Sequence, residues 1–181
     1  MRLRHPFEPV FDSRSRILIL GSFPSVRSRK EGFYYGHPQN RFWRVLAAVY
    51  GETVPTDIPS KKRLLLEHQL ALWDAAAQCD IEGSKDSSIA NAVPTDLSVI
   101  LTRAKIERVL CNGQTAGRLY RLLQLPQTGI PPVVLPSTSP LNASWSLEKL
   151  TEKWGKELIE VMSEKSEVKA GTPEQSKSGF T

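Results

Sequence analysis

The residues best suited to chemistry lie in one stretch, residues 16–43. Within it, the apolar segment Ile17–Leu20 leads into a long loop that carries three adjacent aromatic side chains, His37 and Asn40. A buried strand followed by a long polar loop is how α/β proteins build a site at the carboxyl edge of a sheet. The loop is too aromatic for a disordered linker and too long for a simple connection. We therefore interpret it as an active-site loop.

Asn40 has two compatible roles. It stands where the N-cap of a helix over residues 41–50 belongs, and Gly51 stands where that helix would end. An amide is too weak a base to act as a strong proton acceptor, but it can hold and orient a water molecule. Because a capping side chain is fixed and faces the preceding loop, the sequence permits both roles at once.

Two further polar segments follow apolar runs. Asp74 ends the apolar segment 71–75, and the proline-rich segment 136–144 follows a strand pattern at 132–135. Strand patterns alternate with helix patterns along the chain, which predicts a mostly parallel sheet covered on both faces. The carboxyl ends of parallel strands meet at one edge, so we expect these two segments to lie beside the active-site loop.

The other elements follow from hydrophobic periodicity and turn residues. We predict further strands at 17–20 and 106–111, helices at 41–50, 60–70 (capped by Ser60), 97–104, 115–123 and 145–162, an irregular segment at 1–15 and a polar loop at 79–88. These elements form one predicted domain over residues 1–162. The tail at 163–181 is rich in Ser, Lys, Glu and Gly, and we expect it to be disordered.

Composition excludes several classes of protein. The chain has 181 residues, of which 40% are hydrophobic and 24% charged, as in ordinary globular proteins. No apolar run approaches the roughly 20 residues of a membrane helix, and the N-terminus lacks the apolar core of a signal peptide, so we expect a cytoplasmic protein. Two cysteines are too few for a disulfide scaffold, a four-cysteine zinc site or an iron–sulfur cluster.

Positive charge is concentrated around the active-site loop. The net charge is +5, and residues 1–44 hold nine Lys or Arg residues against three Asp or Glu residues. Such a bias favours a polyanionic partner that binds through phosphate contacts. The alternative is a solvated basic face with no partner.

Four motifs resemble those of a known family. They are GSFPS at Gly21–Ser25, GFYYGHPQNRFW at Gly32–Trp43, LWD at Leu72–Asp74 and LPSTSPLNAS at Leu135–Ser144. Their order resembles that of the uracil-DNA glycosylase superfamily, and most of all its hypoxanthine-DNA glycosylase (DNA-deoxyinosine glycosylase) branch. The mismatch-specific uracil glycosylases have a similar HPxNRFW segment.

The resemblance implies a fold and a reaction. The fold is a three-layer α/β/α sandwich around a short, mostly parallel sheet. The reaction is the hydrolysis of the N-glycosidic bond of a damaged base that has been flipped out of the duplex, and it needs no metal or organic cofactor. The implied partners are DNA containing deaminated bases and the enzymes that process abasic sites, and we expect the protein to be a monomer.

One departure from the superfamily narrows the substrate. Many members carry a catalytic Asp or Asn where this chain has Phe23, and the second motif begins with Ser137 instead of His or Asn. Phe23 cannot orient a water molecule. In the hypoxanthine branch the catalytic role is implied to move to Asn40, which makes hypoxanthine the expected base and uracil or a mismatched base the alternative.

The resemblance also implies a base-binding set. Tyr35 corresponds to the aromatic residue that stacks on the flipped base, and Phe23 and Ser22 would line the pocket. Asp74 stands where related enzymes read the edge of the base. A carboxylate there could accept a hydrogen bond from the N1–H that hypoxanthine has and adenine lacks. The plain alternative for Asp74 is a helix cap or loop carboxylate.

The segment 136–144 resembles a loop that enters the duplex. Leu141 would fill the gap left by the flipped nucleotide, as apolar side chains do between base steps. The other predicted DNA contacts are Ser137, Thr138, Ser139, Asn142, His37 and Arg27. The alternatives are that the segment 136–144 is only a proline-rich connection, that His37 has a structural role and that Arg27 is a solvated surface charge.

Two other functions stay open at the level of sequence. One is a non-catalytic nucleic-acid-binding module on the same fold, which would keep the basic charge and Leu141 without a poised Asn40. The other is a cysteine hydrolase that uses Cys111 at the end of its strand. No histidine near Cys111 lies in a motif that would indicate a catalytic cysteine–histidine pair, and strand cysteines are usually buried.

Overall fold

Four apolar segments form a parallel sheet because each can bury both of its faces. The computed structural model describes residues 2–81 and 89–170, with side chains up to residue 159. Its elements are β1 Arg2–Arg4, β2 Ile17–Gly21, α1 Val26–Glu31, α2 Phe42–Tyr50, α3 Ile58–Glu67, β3 Leu70–Asp74, β4 Ala76–Asp80, β5 Ala90–Pro94, α4 Ser98–Leu101, β6 Arg108–Asn112, α5 Gln114–Leu123, α6 Leu125–Thr128, β7 Pro132–Leu135 and α7 Leu147–Ala170.

The parallel sheet has the order β3-β2-β6-β7, so β2 lies at its centre. Every residue of β2 is buried. The register places Gly21 opposite Asp74 and places Asn112 opposite Leu135. The strands therefore end level with one another, and the loops that follow β2, β3 and β7 lie at one edge, as predicted.

Helices cover both faces of this sheet. Along β2, Ile17 and Ile19 pack with residues of α2, α3 and α7, whereas Leu18 and Leu20 pack with residues of α4 and α5. This alternation follows from the two-residue period of a strand. The predicted three-layer α/β/α architecture is confirmed.

A second, antiparallel sheet was not predicted. It has the order β1-β4-β5 and packs a small apolar cluster of its own. The predictions of an irregular segment at 1–15 and of a loop beginning at Cys79 were wrong, because Arg2–Arg4 pairs with Gln78–Asp80. A three-residue strand has too little sequence pattern to be recognised before its partner is known. Residues 82–88 of the predicted loop lie outside the described residues.

Several predicted helix boundaries also differ from the structure. The helix α3 is capped by Asp57, whose carboxylate accepts from the backbone N–H of Ser60 at 2.8 Å, so Ser60 is not the cap. The helix α4 is limited to Ser98–Leu101, and α2 begins one residue later than predicted. The helix α7 continues past the predicted end at residue 162 to Ala170. The rest of the predicted tail, 171–181, lies outside the described residues.

An additional short helix interrupts the active-site loop. The helix α1 begins after Ser25, whose hydroxyl accepts from the backbone N–H of Ser28, and ends at Gly32 with a φ of 74°. Glycine is the residue that adopts this left-handed conformation without steric cost. Within the described part of the chain, no helix is both long enough and apolar enough to cross a bilayer.

Trp154 connects the helical layer to the site. Its side chain is fully buried and lies edge-on to Phe42 at 6.0 Å, and its indole N–H donates to the carbonyl of Pro136 at 3.0 Å. Pro136 begins the loop after β7. The last helix therefore packs against α2 and also fixes the start of the loop that follows β7.

We expect Trp154→Ala to lower the free energy of unfolding by about 3–5 kcal/mol, because it leaves a large cavity and an unpaired carbonyl. Trp154→Phe keeps most of the ring volume and should cost about 2 kcal/mol or less. Urea unfolding monitored by circular dichroism measures both values. Equal losses in the two variants would contradict the role assigned to the volume of the indole.

Candidate active site

A cavity of about 950 Å³ opens where the loops after β2, β3 and β7 meet. The sequence-predicted residues that line it are Ser22, Phe23, Tyr35, His37, Asn40, Asp74, Ser137, Thr138, Ser139, Leu141 and Asn142. Arg27 does not line it. That arginine borders a separate depression of about 460 Å³ beside α1 and pairs with Glu31 at 2.6 Å.

Asn40 is held by a directional chain of hydrogen bonds. Its Oδ1 accepts from the backbone N–H of Phe42 and from the hydroxyl of Thr138, both at 2.9 Å. The Thr138 hydroxyl in turn accepts from Nδ2 of Asn112 at 3.0 Å, and the Thr138 backbone N–H donates to Asn112 Oδ1 at 3.0 Å. The chain thus joins the end of β6, the loop after β7 and the start of α2.

This chain determines what Asn40 can offer. A backbone N–H only donates, so the atom facing Phe42 must be Oδ1 and the amide cannot be flipped. The two donors occupy both lone pairs of Oδ1, and the remaining hydrogen-bonding capacity of Asn40 is the pair of N–H groups on Nδ2. Asn40 is therefore suited to hold a water molecule by its oxygen and not to take its proton. Arg41, not Asn40, occupies the cap position of α2.

Asp74 is joined to a residue that the sequence did not point to. His5 Nε2 lies 2.8 Å from Asp74 Oδ2, and both side chains are only 5% exposed. The backbone N–H of Phe7 donates to His5 Nδ1 at 3.4 Å, so Nε2 carries the proton and donates to the carboxylate. The N-terminal segment therefore fixes the orientation of Asp74. Because the strand β4 and not a helix follows β3, Asp74 caps no helix.

Aromatic rings surround this pair. The His5 ring centroid lies 4.8 Å from that of Phe7, 5.9 Å from that of Phe23 and 6.0 Å from that of Tyr34. Burial raises the pKa of Tyr34, and its hydroxyl donates to the carbonyl of Glu8 at 2.8 Å. Tyr34 thus supports the loop from below.

Tyr35 lies at the cavity wall in an unusual backbone conformation. Its φ is 54°, in the left-handed region, and its ring stacks on Phe42 with centroids 4.2 Å apart and planes inclined by 30°. Such a conformation persists in a non-glycine residue only when its surroundings enforce it. Gly21 is part of those surroundings, because a Cβ there would overlap both the Tyr35 hydroxyl and the Asp74 carboxylate.

The loop after β7 is held at its base and exposed at its tip. Leu141 is 81% exposed. The Arg41 guanidinium donates to the backbone carbonyls of Ser139 at 2.9 Å, of Asn142 at 3.0 Å and of Trp145. One arginine therefore holds three backbone carbonyls of the loop together. The loop held in this way exposes the Leu141 side chain to solvent.

Thr138 does not fit the surface role predicted for it. It is 0% exposed, and its hydroxyl is used by Asn112 and Asn40. A phosphate cannot reach it, so its role is to position Asn40. Ser137 and Ser139 are partly exposed, although their hydroxyls accept from the backbone N–H groups of Ser139 and Leu141.

The Cys111 alternative is not supported by the geometry. Its thiol is buried in the sheet, and this desolvation raises its pKa to about 12. A nucleophilic cysteine needs a lowered pKa and access to solvent. Among the described residues, no group of three or more His, Cys, Asp or Glu side chains is arranged to hold a metal ion.

Three important residues were missed at the level of sequence. His5 and Asn112 act over long separations, and neither lies in a recognisable motif. Arg41 follows Asn40 directly within the NRFW segment, so its position in the motif was the one available signal.

Comparisons with known proteins point to one family. Residues 8–160 match the model of the Uracil DNA glycosylase superfamily. The chain is 36% identical over 152 residues to a hypoxanthine DNA glycosylase of Methanosarcina acetivorans, an alignment that covers 83% of this chain and 95% of that protein. It is 33% identical over 120 residues to a hypoxanthine DNA glycosylase of Methanosarcina barkeri, covering 65% of this chain and 76% of that protein.

The fold is similar to that of a solved structure from Methanosarcina acetivorans. The solution NMR structure of a candidate uracil DNA glycosylase from Methanosarcina acetivorans superposes with a TM-score of 0.75 and 32% sequence identity. The match covers 90% of this chain and 99% of that chain.

We expect His5→Leu to lower the free energy of unfolding by about 1–3 kcal/mol, because it leaves the buried Asp74 carboxylate without its donor. His5→Gln keeps an N–H donor and should cost less. The matched control is His68→Leu, since His68 also lies 2.8 Å from a carboxylate, that of Glu52, but nearer to solvent. That control should cost about 1 kcal/mol or less in urea unfolding. A larger loss for the control would contradict this assignment.

We expect Arg41→Met to release the loop over residues 139–145 while the sheet stays intact. Amide hydrogen exchange in the loop should accelerate about 10-fold or more, because three charge-assisted hydrogen bonds are lost. Arg41→Lys should accelerate it too, since an ammonium lacks the planar fork. Arg44→Met is the control, because among the described residues the Arg44 guanidinium reaches only the carbonyl of Gln39, at 3.4 Å. Unchanged amide exchange in Arg41→Met would contradict the conclusion that Arg41 holds this loop.

Proposed function

Because this chain belongs to the uracil DNA glycosylase superfamily, we propose that it is a DNA glycosylase that removes hypoxanthine from deoxyinosine. The family resemblance noted in the sequence is confirmed by the match over residues 8–160. Two relatives named hypoxanthine DNA glycosylase support hypoxanthine as the base that is removed. The observation that carries the proposal is Asn40, held at the cavity wall with its N–H groups as its remaining donors.

The reaction transfers the sugar from the base to water. The bond between C1′ and N9 breaks and its electron pair stays with the base, while the oxygen of a water molecule bonds to C1′. The water releases one proton, and the base takes one up, which leaves an abasic site and free hypoxanthine. The base must first leave the duplex, because C1′ cannot be reached in the stack.

Asn40 orients the attacking water in this scheme. Its Nδ2 donates to the water oxygen and leaves the second lone pair of that oxygen directed at C1′. The sugar acquires oxocarbenium character before the water bonds, so correct placement matters more than the strength of a base. Thr138 and Asn112 are positioning residues, because they fix the Asn40 amide through its oxygen.

The cavity wall supports the assignment of the base-binding residues. Tyr35 stacks on the flipped base with the ring face that Phe42 does not cover. Asp74, oriented by His5, accepts from N1–H of hypoxanthine. Phe23 and Ser22 line the same cavity. Adenine carries no hydrogen on N1, so its N1 lone pair would face the carboxylate without a hydrogen bond and the base would be rejected.

The cavity mouth supports DNA as the partner. Leu141 is the exposed apolar tip that would enter the gap left by the flipped nucleotide. Ser137, Ser139, Asn142 and His37 lie at the same mouth, and Arg27 lies on the neighbouring helix. We propose that these polar groups contact the phosphate backbone. One flipped base needs one site, so we expect a monomer, and the abasic product would pass to enzymes that process such sites in the cytoplasm.

The decisive test is cleavage of labelled duplexes that carry one deoxyinosine, one uracil or one thymine mispaired with guanine. Alkali then breaks the strand at each abasic site. We expect breaks mainly at deoxyinosine, and we expect Asn40→Ala to slow them by about 100-fold or more because the water is no longer placed. Gln39→Ala, which removes the neighbouring amide side chain, is the matched control and should keep the rate.

Each other outcome identifies a different function. Breaks mainly at uracil would keep the fold and the chemistry but overturn hypoxanthine as the substrate. Binding of the duplexes without any break would leave a non-catalytic nucleic-acid-binding module. Full activity in Asn40→Ala would remove Asn40 from the mechanism.

A further inference from the structure

Arg29 places a positive charge in the cavity wall without using its full hydrogen-bonding capacity. Its side chain lines the same cavity as Asp74. The guanidinium carbon lies 5.8 Å from the ring centroid of Phe23, and the Arg29 side chain forms no hydrogen bond within residues 2–81 and 89–159. Arg29 as a whole is half-buried, and a guanidinium without a protein partner can donate to a ligand.

Other arginines of the chain differ from Arg29 in this respect. Arg16, Arg27 and Arg108 pair with the carboxylates of Glu107, Glu31 and Glu157. In the part of the chain that the structure describes, no ion pair is formed by Arg29, with Asp74 or with any other carboxylate. The Phe23 ring holds the guanidinium through a cation–π contact, which orients it and satisfies none of its N–H groups.

Arg29 and Asp74 offer opposite and unambiguous hydrogen-bonding roles. A guanidinium has five N–H donors and no acceptor. A carboxylate accepts about four hydrogen bonds, and His5 uses one of them on Asp74. Arg29 is therefore a donor and Asp74 an acceptor whose roles cannot be exchanged by rotation, unlike those of an amide side chain.

Deamination creates the complementary pattern on a base. Adenine presents an N1 acceptor beside a 6-amino donor. Hydrolytic deamination replaces them with an N1–H donor beside an O6 acceptor, which is a lactam edge. An acceptor and a donor on the protein that both reach this edge match the lactam with two hydrogen bonds and oppose the adenine edge with two like-for-like contacts.

We propose that Arg29 donates to the exocyclic oxygen of the flipped base while Asp74 accepts from the adjacent ring N–H. Arg29 is then a specificity-determining residue, and the pair selects bases with a lactam edge. This inference rests on the proposed function of the cavity. It adds a second recognition group and gives the substrate class in chemical terms: hypoxanthine fits it, and adenine and cytosine do not.

The same guanidinium also suits the departing base. When the glycosidic bond breaks, the electron pair that stays on the base gives its exocyclic oxygen partial negative charge. A charged donor at that oxygen binds the transition state more tightly than the neutral substrate. Guanine also has a lactam edge, and its pairing with cytosine makes its extrusion more costly than that of a mispaired base.

Binding of non-cleavable duplexes tests the pair without any cleavage step. Each duplex carries a 2′-fluoro nucleoside of hypoxanthine, adenine or unsubstituted purine, and each base stands opposite an abasic analogue so that no base pairing biases extrusion. Purine lacks both O6 and N1–H. The wild type should bind the hypoxanthine duplex about 10-fold or more tightly than the other two.

Variants of α1 isolate the contribution of Arg29. We expect Arg29→Met to weaken binding of the hypoxanthine duplex about 10- to 100-fold, because one charge-assisted hydrogen bond is lost, and to leave the purine duplex nearly unaffected. Lys30→Met removes the same charge from an exposed position on the same helix and should weaken all three duplexes equally. Arg29→Lys keeps a charged donor and should recover part of the selectivity, which guards against a variant that fails to fold.

The outcomes separate this inference from the proposed function. Equal losses for hypoxanthine and purine in Arg29→Met, or no preference for hypoxanthine in the wild type, would overturn the lactam pair even if deoxyinosine is cleaved. Arg29-dependent preference for hypoxanthine in a protein that cleaves nothing would uphold the pair and refute the glycosylase. Thermal unfolding of each variant confirms that the compared proteins are folded.

Discussion

The site depends on one hydrogen bond, from the Thr138 hydroxyl to Asn40 Oδ1 at 2.9 Å. It joins loops that are distant in sequence, and a backbone bond from Arg41 N–H to the carbonyl of Thr138 at 3.1 Å lies beside it. Because Thr138 is fully buried, water does not compete for its hydroxyl. The bond consumes the Asn40 oxygen, and this determines which chemistry the amide can perform.

The parallel sheet makes that bond possible. The register that sets Gly21 level with Asp74 and Asn112 level with Leu135 brings four strand ends to one edge. Every polar group that enters this edge then needs a partner, because burial without one is costly. His5 supplies a partner to Asp74, Arg41 supplies one to the loop after β7, and Asn112 supplies one to Thr138. The protein's own side chains therefore hold the site together.

Burial also separates residues that the sequence treats alike. Two arginines stand two positions apart in the motif region, yet Arg27 pairs with Glu31 at the surface while Arg29 lines the cavity over Phe23. Likewise, Tyr34 is buried beneath the loop and Tyr35 lines the cavity. A basic or aromatic run in the sequence indicates a functional region. Which residue of the run faces the cavity is set by the geometry of α1 and by the backbone conformation at Tyr35.

Sequence alone determined the family, the parallel sheet and most of the cavity wall, because strand periodicity and motif order are local signals that survive without coordinates. Asn40, Asp74 and Leu141 were identified in this way. Tertiary structure alone decided that β1 and β4 pair, that His5 reaches Asp74, and that Thr138 lies beneath the surface. These facts depend on contacts between residues far apart in the chain. Whether a polar side chain meets a partner, a ligand or solvent is settled only when the fold has buried it.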